Sequence, residues 1–149
     1  MNDILLPGLP CMCASFRRAS RALTQIYDEE LRPVGLRATQ FTVLQALSRA
    51  GDVSQGELGA MLSMDSTTLT RTLDIMARHR WIEKRQGKDR RERRLRLGKP
   101  GHKQFQRALP AWERAQAQLR RRLGSARWHE LLNSTTELAN IVTELGEPS

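Results

Sequence analysis

The stretch DSTTLTRTLDIMARHRWIEKRQGKDRRERRLRL, from Asp65 to Leu97, decides the fold that we predict for this chain. Its first half carries apolar side chains at positions 69, 73 and 76, the spacing of a helix with one apolar face. Asp65 stands where an N-cap side chain accepts hydrogen bonds from free backbone N–H groups. The opposite face carries Thr67, Arg71, Asp74 and Arg78. Such a polar face is either an ordinary solvated surface or a surface that contacts a partner.

The second half predicts a β-hairpin with a basic tip. Leu95 and Leu97 alternate with arginines, the period of a half-buried strand, and Gly87 marks a turn. Charges of this kind can simply protect a sheet edge. The tip, Lys88 to Arg93, is more basic than solubility requires, and an arginine there suits the narrow minor groove of A·T-rich DNA. We expect Asp89 to support an arginine of this tip, because a carboxylate would repel phosphate.

Composition narrows the class of protein. The 149 residues carry a formal charge of +9 and a pI of about 10.9, which favours a polyanionic partner. Aromatic residues make up 5%, too few for a protein that stacks on single-stranded nucleic acid. No apolar run is long enough to span a membrane, and residues 1–10 resemble an extended arm rather than a signal peptide, so we expect a cytoplasmic protein.

Three predicted helices precede the Asp65 stretch. We predict helices over residues 12–32 and 39–50, the latter ended by Gly51 and followed by a short link at residues 52–53. Ser54 and Glu57 form the S-x-x-E pattern of a capping box, which starts a third helix to Leu62. A tight turn at residues 63–64 joins this third helix to the helix that begins at Asp65, which indicates a helix-turn-helix. The hairpin that follows makes the motif a winged helix.

The chain returns to helix from Pro100. Pro110 is expected to kink a long helix that ends near Gly124, and Ser125 caps a last helix. These helices and the first one carry more apolar surface than one winged-helix core covers, which predicts a dimer interface unless they pack within one chain. We therefore predict a mainly α fold class (α+β winged helix). Residues 1–36 would form an arm and a dimerisation helix, residues 37–99 the winged helix-turn-helix, and residues 100–149 further dimerisation helices.

Residues 12–145 resemble the MarR (multiple antibiotic resistance regulator) family. The resemblance lies in four strings in order: LRATQFTVL at 36–44, SQGEL at 54–58, TLTR at 68–71 and DRR at 89–91. One departure is Gly98, which stands where the family carries a threonine that caps the next helix. We therefore expect a looser junction at Gly98.

The resemblance implies a homodimeric transcriptional regulator, usually a repressor, bound to a pseudo-palindrome in double-stranded DNA. Expected DNA contacts are Ser66, Thr67, Thr68, Thr70, Arg71, Arg78, Lys88, Arg90, Arg91 and Arg93. It also implies a small phenolic or aromatic carboxylic effector in a cleft between the dimerisation helices and the winged helix. We expect no cofactor. Phe16, Tyr27 and Trp112 are candidates to line that cleft, although plain core packing would also account for each of them.

Two further interpretations stay open. Cys11 and Cys13 lie at the start of the first helix, where they are inert, sense peroxide through a reactive thiol, or belong to an incomplete metal site. The basic charge alone also fits a nucleic-acid-binding protein without sequence preference. An enzyme is not expected, because the chain has no Gly-rich phosphate loop, H-E-x-x-H or G-x-S-x-G motif.

Overall fold

The computed structural model describes residues 11–145, so the predicted arm at residues 1–10 lies outside it. The described chain divides between Trp112 and Glu113 into two compact units. Its elements, in chain order, are α1 (Met12–Leu31), a 3-10 turn (Arg32–Val34), α2 (Ala38–Ala50), β1 (Val53–Ser54), α3 (Gln55–Leu62), α4 (Ser66–Arg78), β2 (Ile82–Gln86), β3 (Arg93–Leu97), α5 (Lys99–Leu123) and α6 (Ser125–Leu145). This mainly helical architecture with a small antiparallel sheet confirms the predicted fold class.

Helices α3 and α4 begin where the sequence supplies caps. Asp65 accepts a hydrogen bond from the Thr68 N–H at 2.8 Å and another from the Thr68 hydroxyl at 2.7 Å. Ser54 accepts from the Glu57 N–H at 3.0 Å, and Glu57 accepts from the Ser54 N–H at 2.7 Å. The predicted capping box is therefore present, and it fixes the first turn of α3.

The wing is a sheet of three antiparallel strands in the order β1-β3-β2. Leu97 pairs with Ile82 on one side of β3, and Leu95 pairs with Val53 on the other. We predicted a two-stranded hairpin and only a short link at Val53, and the prediction missed β1. Two residues are too few for an alternating pattern, so this strand depends on pairing that the local sequence does not encode.

The core of the first unit follows the predicted stripe of α4. Leu69, Leu73 and Met76 are at most 2% exposed, and they belong to one cluster with apolar side chains of α2 and β3. The same cluster includes Leu31 before the winged helix and Phe105 after it. The winged-helix core is thus completed by the adjoining ends of the flanking helices.

The junction at Gly98 is tight, so the expectation of a looser one is wrong. The Gly98 N–H donates to the Trp81 carbonyl at 3.0 Å, and the Gly98 carbonyl accepts from the His102 N–H at 3.0 Å. A Cβ at Gly98 would stand 2.8 Å from the Arg80 carbonyl oxygen. The absence of a side chain at Gly98 lets the two backbones approach and hydrogen-bond directly.

The second unit contains the end of α5 and the whole described length of α6, which are joined at Gly124. The positive φ of 81° at Gly124 suits glycine. The Arg120 guanidinium lies 5.2 Å from the centre of the Trp128 ring. Beyond Trp128, large apolar side chains of α6 are exposed: Leu131, Leu132, Ile141, Val142 and Leu145. α1, in the first unit, likewise exposes Met12, Phe16 and Leu23. Within residues 11–145, no helix has the length and apolar character that crossing a membrane requires.

Candidate nucleic-acid interface

The outer face of α4 is polar and exposed along its length. A surface cavity of about 450 Å³ runs along it, lined by Ser66, Thr67, Thr70, Arg71 and Asp74. The Arg71 side chain makes no hydrogen bond or ion pair with the described residues. Arg78, two turns on, donates from Nε to the Asp74 carbonyl at 3.4 Å, within its own helix. Arg71 is therefore the arginine of this face whose guanidinium keeps all its donors for a partner.

The acidic side chain of this face is neutralised. Asp74 accepts from the Lys84 ammonium of β2 at 2.5 Å. This hydrogen bond, with the charge of Lys84, lowers the pKa of Asp74 below its ordinary value. The pair ties α4 to the wing and reduces the repulsion that a free carboxylate would exert on phosphate.

The predicted hydroxyl contacts differ in what they already bind. The Thr68 hydroxyl donates to Asp65, as part of the N-cap. The Thr70 hydroxyl accepts from the Gln55 side-chain amide at 3.0 Å. Gln55 was not among the predicted site residues. Its one signal in the sequence is its position as the first residue of α3, directly after the capping serine.

The wing tip is a closed turn. The Gly87 N–H donates to the Glu92 carbonyl at 2.8 Å, and the Glu92 N–H donates to the Asp89 carbonyl at 3.0 Å. The Asp89 carboxylate accepts from the backbone N–H of Arg91 at 3.1 Å. The support that Asp89 gives to Arg91 thus acts through the backbone of the turn.

The cations of the wing divide into two groups. Those at its base pair with carboxylates: Lys84 with Asp74, Arg85 and Arg94 with Asp52, and Arg96 with Glu83. Those at its tip are exposed and form no ion pair with the described residues: Lys88, Arg90, Arg91 and Arg93. The net positive charge of the wing is thus concentrated at its tip.

Arg94 anchors the wing. Its Nε donates to the Asp52 carboxylate at 2.7 Å, its Nη2 to the Asp52 carbonyl at 2.8 Å, and its Nη1 to the Glu92 carboxylate at 2.9 Å. The side chain is 30% exposed and stands on the central strand. These bonds hold β3 against Asp52, the residue that directly precedes β1. This role is not visible in the sequence, because Asp52 and Arg94 are brought together only by the strand register.

The helix and the wing border one continuous polar surface. A second cavity of about 470 Å³ lies between them, lined by Ser54, Gln55, Gly56, Thr70, Lys84, Arg91, Glu92 and Arg93. Thr70 lines this cavity and the one along α4 as well. The predicted DNA-contacting residues of α4 and of the tip therefore adjoin in space.

The three aromatic candidates for an effector site do not line the three surface cavities described for residues 11–145. Phe16 is 43% exposed on α1. Trp112 stacks on Phe41 with ring centres 5.8 Å apart. Tyr27 packs against the core, and this burial raises the pKa of its phenol. A third cavity, of about 300 Å³, is lined by Asp28, Arg32, Gly35, Leu36, Arg37 and Gln40, and none of the three aromatics lines it or the other two.

Both cysteines are exposed free thiols at the start of α1. The Cys11 sulfur accepts from the Ala14 N–H at 3.5 Å, as the N-cap of the helix. The Cys13 sulfur accepts from the Arg17 guanidinium at 3.9 Å. Both sulfurs thus face hydrogen-bond donors, one from the backbone and one from a cation.

We expect the caps of the helix-turn-helix to make stability depend on acid pH. Hydrogen bonds from Thr68 lower the pKa of Asp65, and those from Ser54 lower the pKa of Glu57. A carboxyl with a lower pKa in the folded state contributes stability above its unfolded-state pKa and loses it as pH falls through the folded-state pKa. Asp65→Asn keeps a capping oxygen without the titration, so urea midpoints should fall less steeply below pH about 4.

Glu29→Gln is the control for this titration, because Glu29 is exposed on α1 with no hydrogen bond to the described residues. It should keep the full acid dependence of the wild type. An Asp65→Asn protein with an unchanged slope would show that the cap does not contribute to it.

A polar helix beside a basic wing defines the class of winged helix-turn-helix proteins. A model of the MarR family matches residues 34–92. MosR, a transcriptional regulator of Mycobacterium tuberculosis solved in complex with DNA, is 34% identical with a TM-score of 0.82, over 92% of this chain and 99% of that one. The chain belongs to the MarR family of transcriptional regulators, as the sequence analysis predicted.

Curated relatives match over shorter segments. The uncharacterised HTH-type transcriptional regulator YwoH of Bacillus subtilis is 32% identical over 60% of this chain and 65% of its own length. The multiple antibiotic resistance protein MarR of Salmonella typhimurium is 38% identical over 40% of this chain and 42% of its own length. The chain thus spans less than two thirds of either relative. Both are named as regulatory or resistance proteins, in agreement with the prediction that this chain is not an enzyme.

Proposed function

We propose that this protein binds double-stranded DNA sequence-specifically, with α4 in the major groove and the wing tip in the adjacent minor groove. The observation that carries the proposal is the division of charge among the described residues: the cations at the base of the wing are paired, whereas those at the tip and Arg71 are not. Unpaired, exposed cations gain most from phosphate, because no internal ion pair has to break. The DNA complex of MosR, a relative 34% identical, supports this assignment.

Each predicted contact has a role in this proposal. Ser66, Thr67, Thr70 and Arg71 line the cavity along α4 and would meet base edges, where an arginine binds guanine through O6 and N7. Arg90 or Arg91 would enter the minor groove. The remaining cations, Arg78, Lys88 and Arg93, would contact phosphates, and Thr68 would approach the backbone beside its cap.

The protein would act as a homodimer through α1 and α6. Each of these helices exposes several large apolar side chains, among them Phe16 at 43% and Val142 at 56% exposure. A helix with so little burial gains little from packing in one chain, and a second copy would cover these faces. Two copies related by a two-fold axis would read a pseudo-palindrome.

The output we propose is repression, relieved by a small phenolic or aromatic carboxylic acid. Such an effector would release DNA only if it binds better to a form whose two α4 helices are wrongly spaced. Phe16, Tyr27 and Trp112 remain the residues to test for it. The conservative substitutions Phe16→Leu, Tyr27→Phe and Trp112→Phe keep an apolar side chain at each position, and they should weaken relief by effector more than they weaken DNA binding.

Oxidation of Cys11 or Cys13 is a second candidate for the input signal, favoured by the exposure of both thiols. Peroxide treatment would then add mass at one of them and lower DNA affinity. An unchanged mass together with unchanged affinity would reject this input.

The first experiment is a titration of the purified protein with the DNA upstream of its own gene and with random duplex, at physiological salt. Tight binding to a selected site with two chains per duplex would support the proposal. Equal, strongly salt-dependent binding to every duplex would instead indicate a nonspecific basic protein.

Arg91→Ala should weaken binding most on operators with A·T-rich flanks, because the minor groove is narrow and electronegative there. The loss should be about tenfold on such flanks and smaller on G·C-rich ones. Arg96→Ala removes the same charge from the base of the wing, where Arg96 pairs with Glu83 at 2.6 Å, and should leave flank preference unchanged. An unaltered flank preference in Arg91→Ala would remove the minor-groove role.

A further inference from the structure

The Thr70 hydroxyl differs from its neighbours on α4. The hydroxyls of Thr68 and Thr72 donate within the helix and its cap, to Asp65 and to the Thr68 carbonyl respectively. The Thr70 oxygen accepts from the Gln55 amide at 3.0 Å and donates to no group among the described residues. Its hydrogen is therefore available to a partner.

The backbone of Gln55 is held in place by its neighbours. Gln55 is the first residue of α3, between the capping Ser54 and the rest of the capping box. Ser54 also pairs with Arg94 in the sheet. A residue so placed has little backbone freedom, so its side-chain amide stays within reach of Thr70, with which it forms the hydrogen bond at 3.0 Å.

This hydrogen bond decides whether the Thr70 hydroxyl offers a donor or an acceptor to a partner. A hydroxyl has one hydrogen and two acceptor sites, and it rotates to suit its partners. When the Gln55 amide donates to the oxygen, the hydroxyl hydrogen cannot point at Gln55 and is free to turn toward the surface that the two cavities share. Thr70 then offers a donor to whatever occupies that surface.

We propose that Gln55 is a positioning residue for sequence recognition, which makes Thr70 a donor toward an acceptor on the major-groove edge of one base pair. Acceptors there are N7 and O6 of guanine, N7 of adenine and O4 of thymine, whereas cytosine offers the amino donor. The inference rests on the proposed DNA binding and adds a residue of α3, outside the recognition helix, to its specificity.

A double-mutant cycle tests the coupling. Gln55→Leu and Thr70→Val should each lower affinity for the selected operator by about tenfold, and the double variant should lose no more than Thr70→Val alone. Affinity for random duplex should change less than about twofold. Thr72→Val is the matched control: its hydroxyl donates to the Thr68 carbonyl at 2.9 Å, so operator affinity should stay at the wild-type value. Thermal melting checks that every variant folds.

Gln55→Glu supplies a measurement that a purely structural role would not move. A carboxylate accepts but does not donate, so the Thr70 hydrogen would turn toward position 55 and its oxygen would face the DNA. Relative affinities for the four base pairs at the contacted position should then shift toward the pair that presents the cytosine amino group. Because these are ratios within one variant, a uniform repulsion between the added negative charge and phosphate cancels from them. The same shift in a Gln55→Glu/Thr70→Val double variant would instead come from the carboxylate itself and would reject the role of Thr70.

The outcomes separate the two proposals. If the wild type selects its operator but the single losses multiply in the double variant, or Gln55→Glu keeps the wild-type base preference, the role of Gln55 is rejected and the proposed function stands. If the wild type does not distinguish operator from random duplex, the proposed function itself is rejected and this role with it.

Discussion

Gly101→Ala should destabilise the protein by about 3 kcal/mol, because there is no space for a side chain at this position. A Cβ on Gly101 would stand 1.9 Å from the Trp81 carbonyl oxygen, 2.8 Å from its carbonyl carbon and 3.1 Å from its Cα. All three are backbone atoms, so no rotamer change relieves the contact. Either α5 or the strand that begins after Trp81 must move.

Gly56→Ala is the matched control. Gly56 lies in the first turn of α3, and a Cβ on it would have the Ser54 hydroxyl oxygen as its nearest neighbour, at 3.9 Å. Alanine favours helix over glycine by up to about 1 kcal/mol, so this variant should equal or exceed the wild type in stability. Urea midpoints at neutral pH measure both. A Gly101→Ala protein within about 0.5 kcal/mol of the wild type would contradict the close packing.

The contact at Gly101 also bears on the interface. Trp81 directly precedes β2, and its ring stacks on His79, at the end of α4, with ring centres 4.4 Å apart. The end of α4, the start of the wing and the start of α5 therefore meet around Trp81. A shift of α5 at this point would alter the angle between α4 and the wing, so we expect Gly101→Ala to weaken DNA binding even at temperatures where it is folded.

Local patterns predicted most of the winged helix. The α4 stripe, the Asp65 cap and the capping box of α3 each depend on residues three or four apart, and the structure has all of them. Such features are set by helix geometry and need no knowledge of the rest of the chain. Alternation over Arg94 to Leu97 likewise predicted β3 correctly.

Contacts between distant segments could not be predicted in this way. Arg94 and Asp52 are 42 positions apart, and Gln55 and Thr70 are 15 apart. Which residues meet depends on strand register and on the turn at Ser63, whose φ of 50° is left-handed. Gly98 shows the same limit: the missing threonine suggested a loose junction, whereas the observed closeness follows from the path of the Trp81 backbone.

The flanking helices show why apolar periodicity does not identify a partner. Phe105 and Ala108 of α5 belong to the core of the first unit, whereas Phe16 of α1 and Val142 of α6 are exposed. All four are apolar residues in helices that the sequence predicts, and the sequence does not show which of them are buried. Only the structure separates the faces that the described chain covers from those that it leaves exposed.

Arg71→Ala should abolish discrimination at one base pair of the operator, at a cost of about 1–3 kcal/mol in operator affinity. Arg71 has the geometry for this role, since it is exposed on the outer face of α4 and its guanidinium is not engaged by the described residues. A bidentate bond to guanine requires two parallel N–H donors, which alanine removes. Competition titrations with operators altered one base pair at a time would locate the position that Arg71 reads.

Arg71→Lys separates charge from shape. Lysine keeps the positive charge but lacks the planar fork of the guanidinium. Arg71→Lys should therefore bind random duplex as tightly as the wild type does, while discrimination at the base pair remains lost. Lys88→Ala, at the unpaired wing tip, should instead weaken binding to operator and random duplex by the same factor and lower the salt dependence by about one counterion. If Arg71→Ala behaved like Lys88→Ala, Arg71 would contact phosphate only, and sequence reading would have to reside in the threonines of α4.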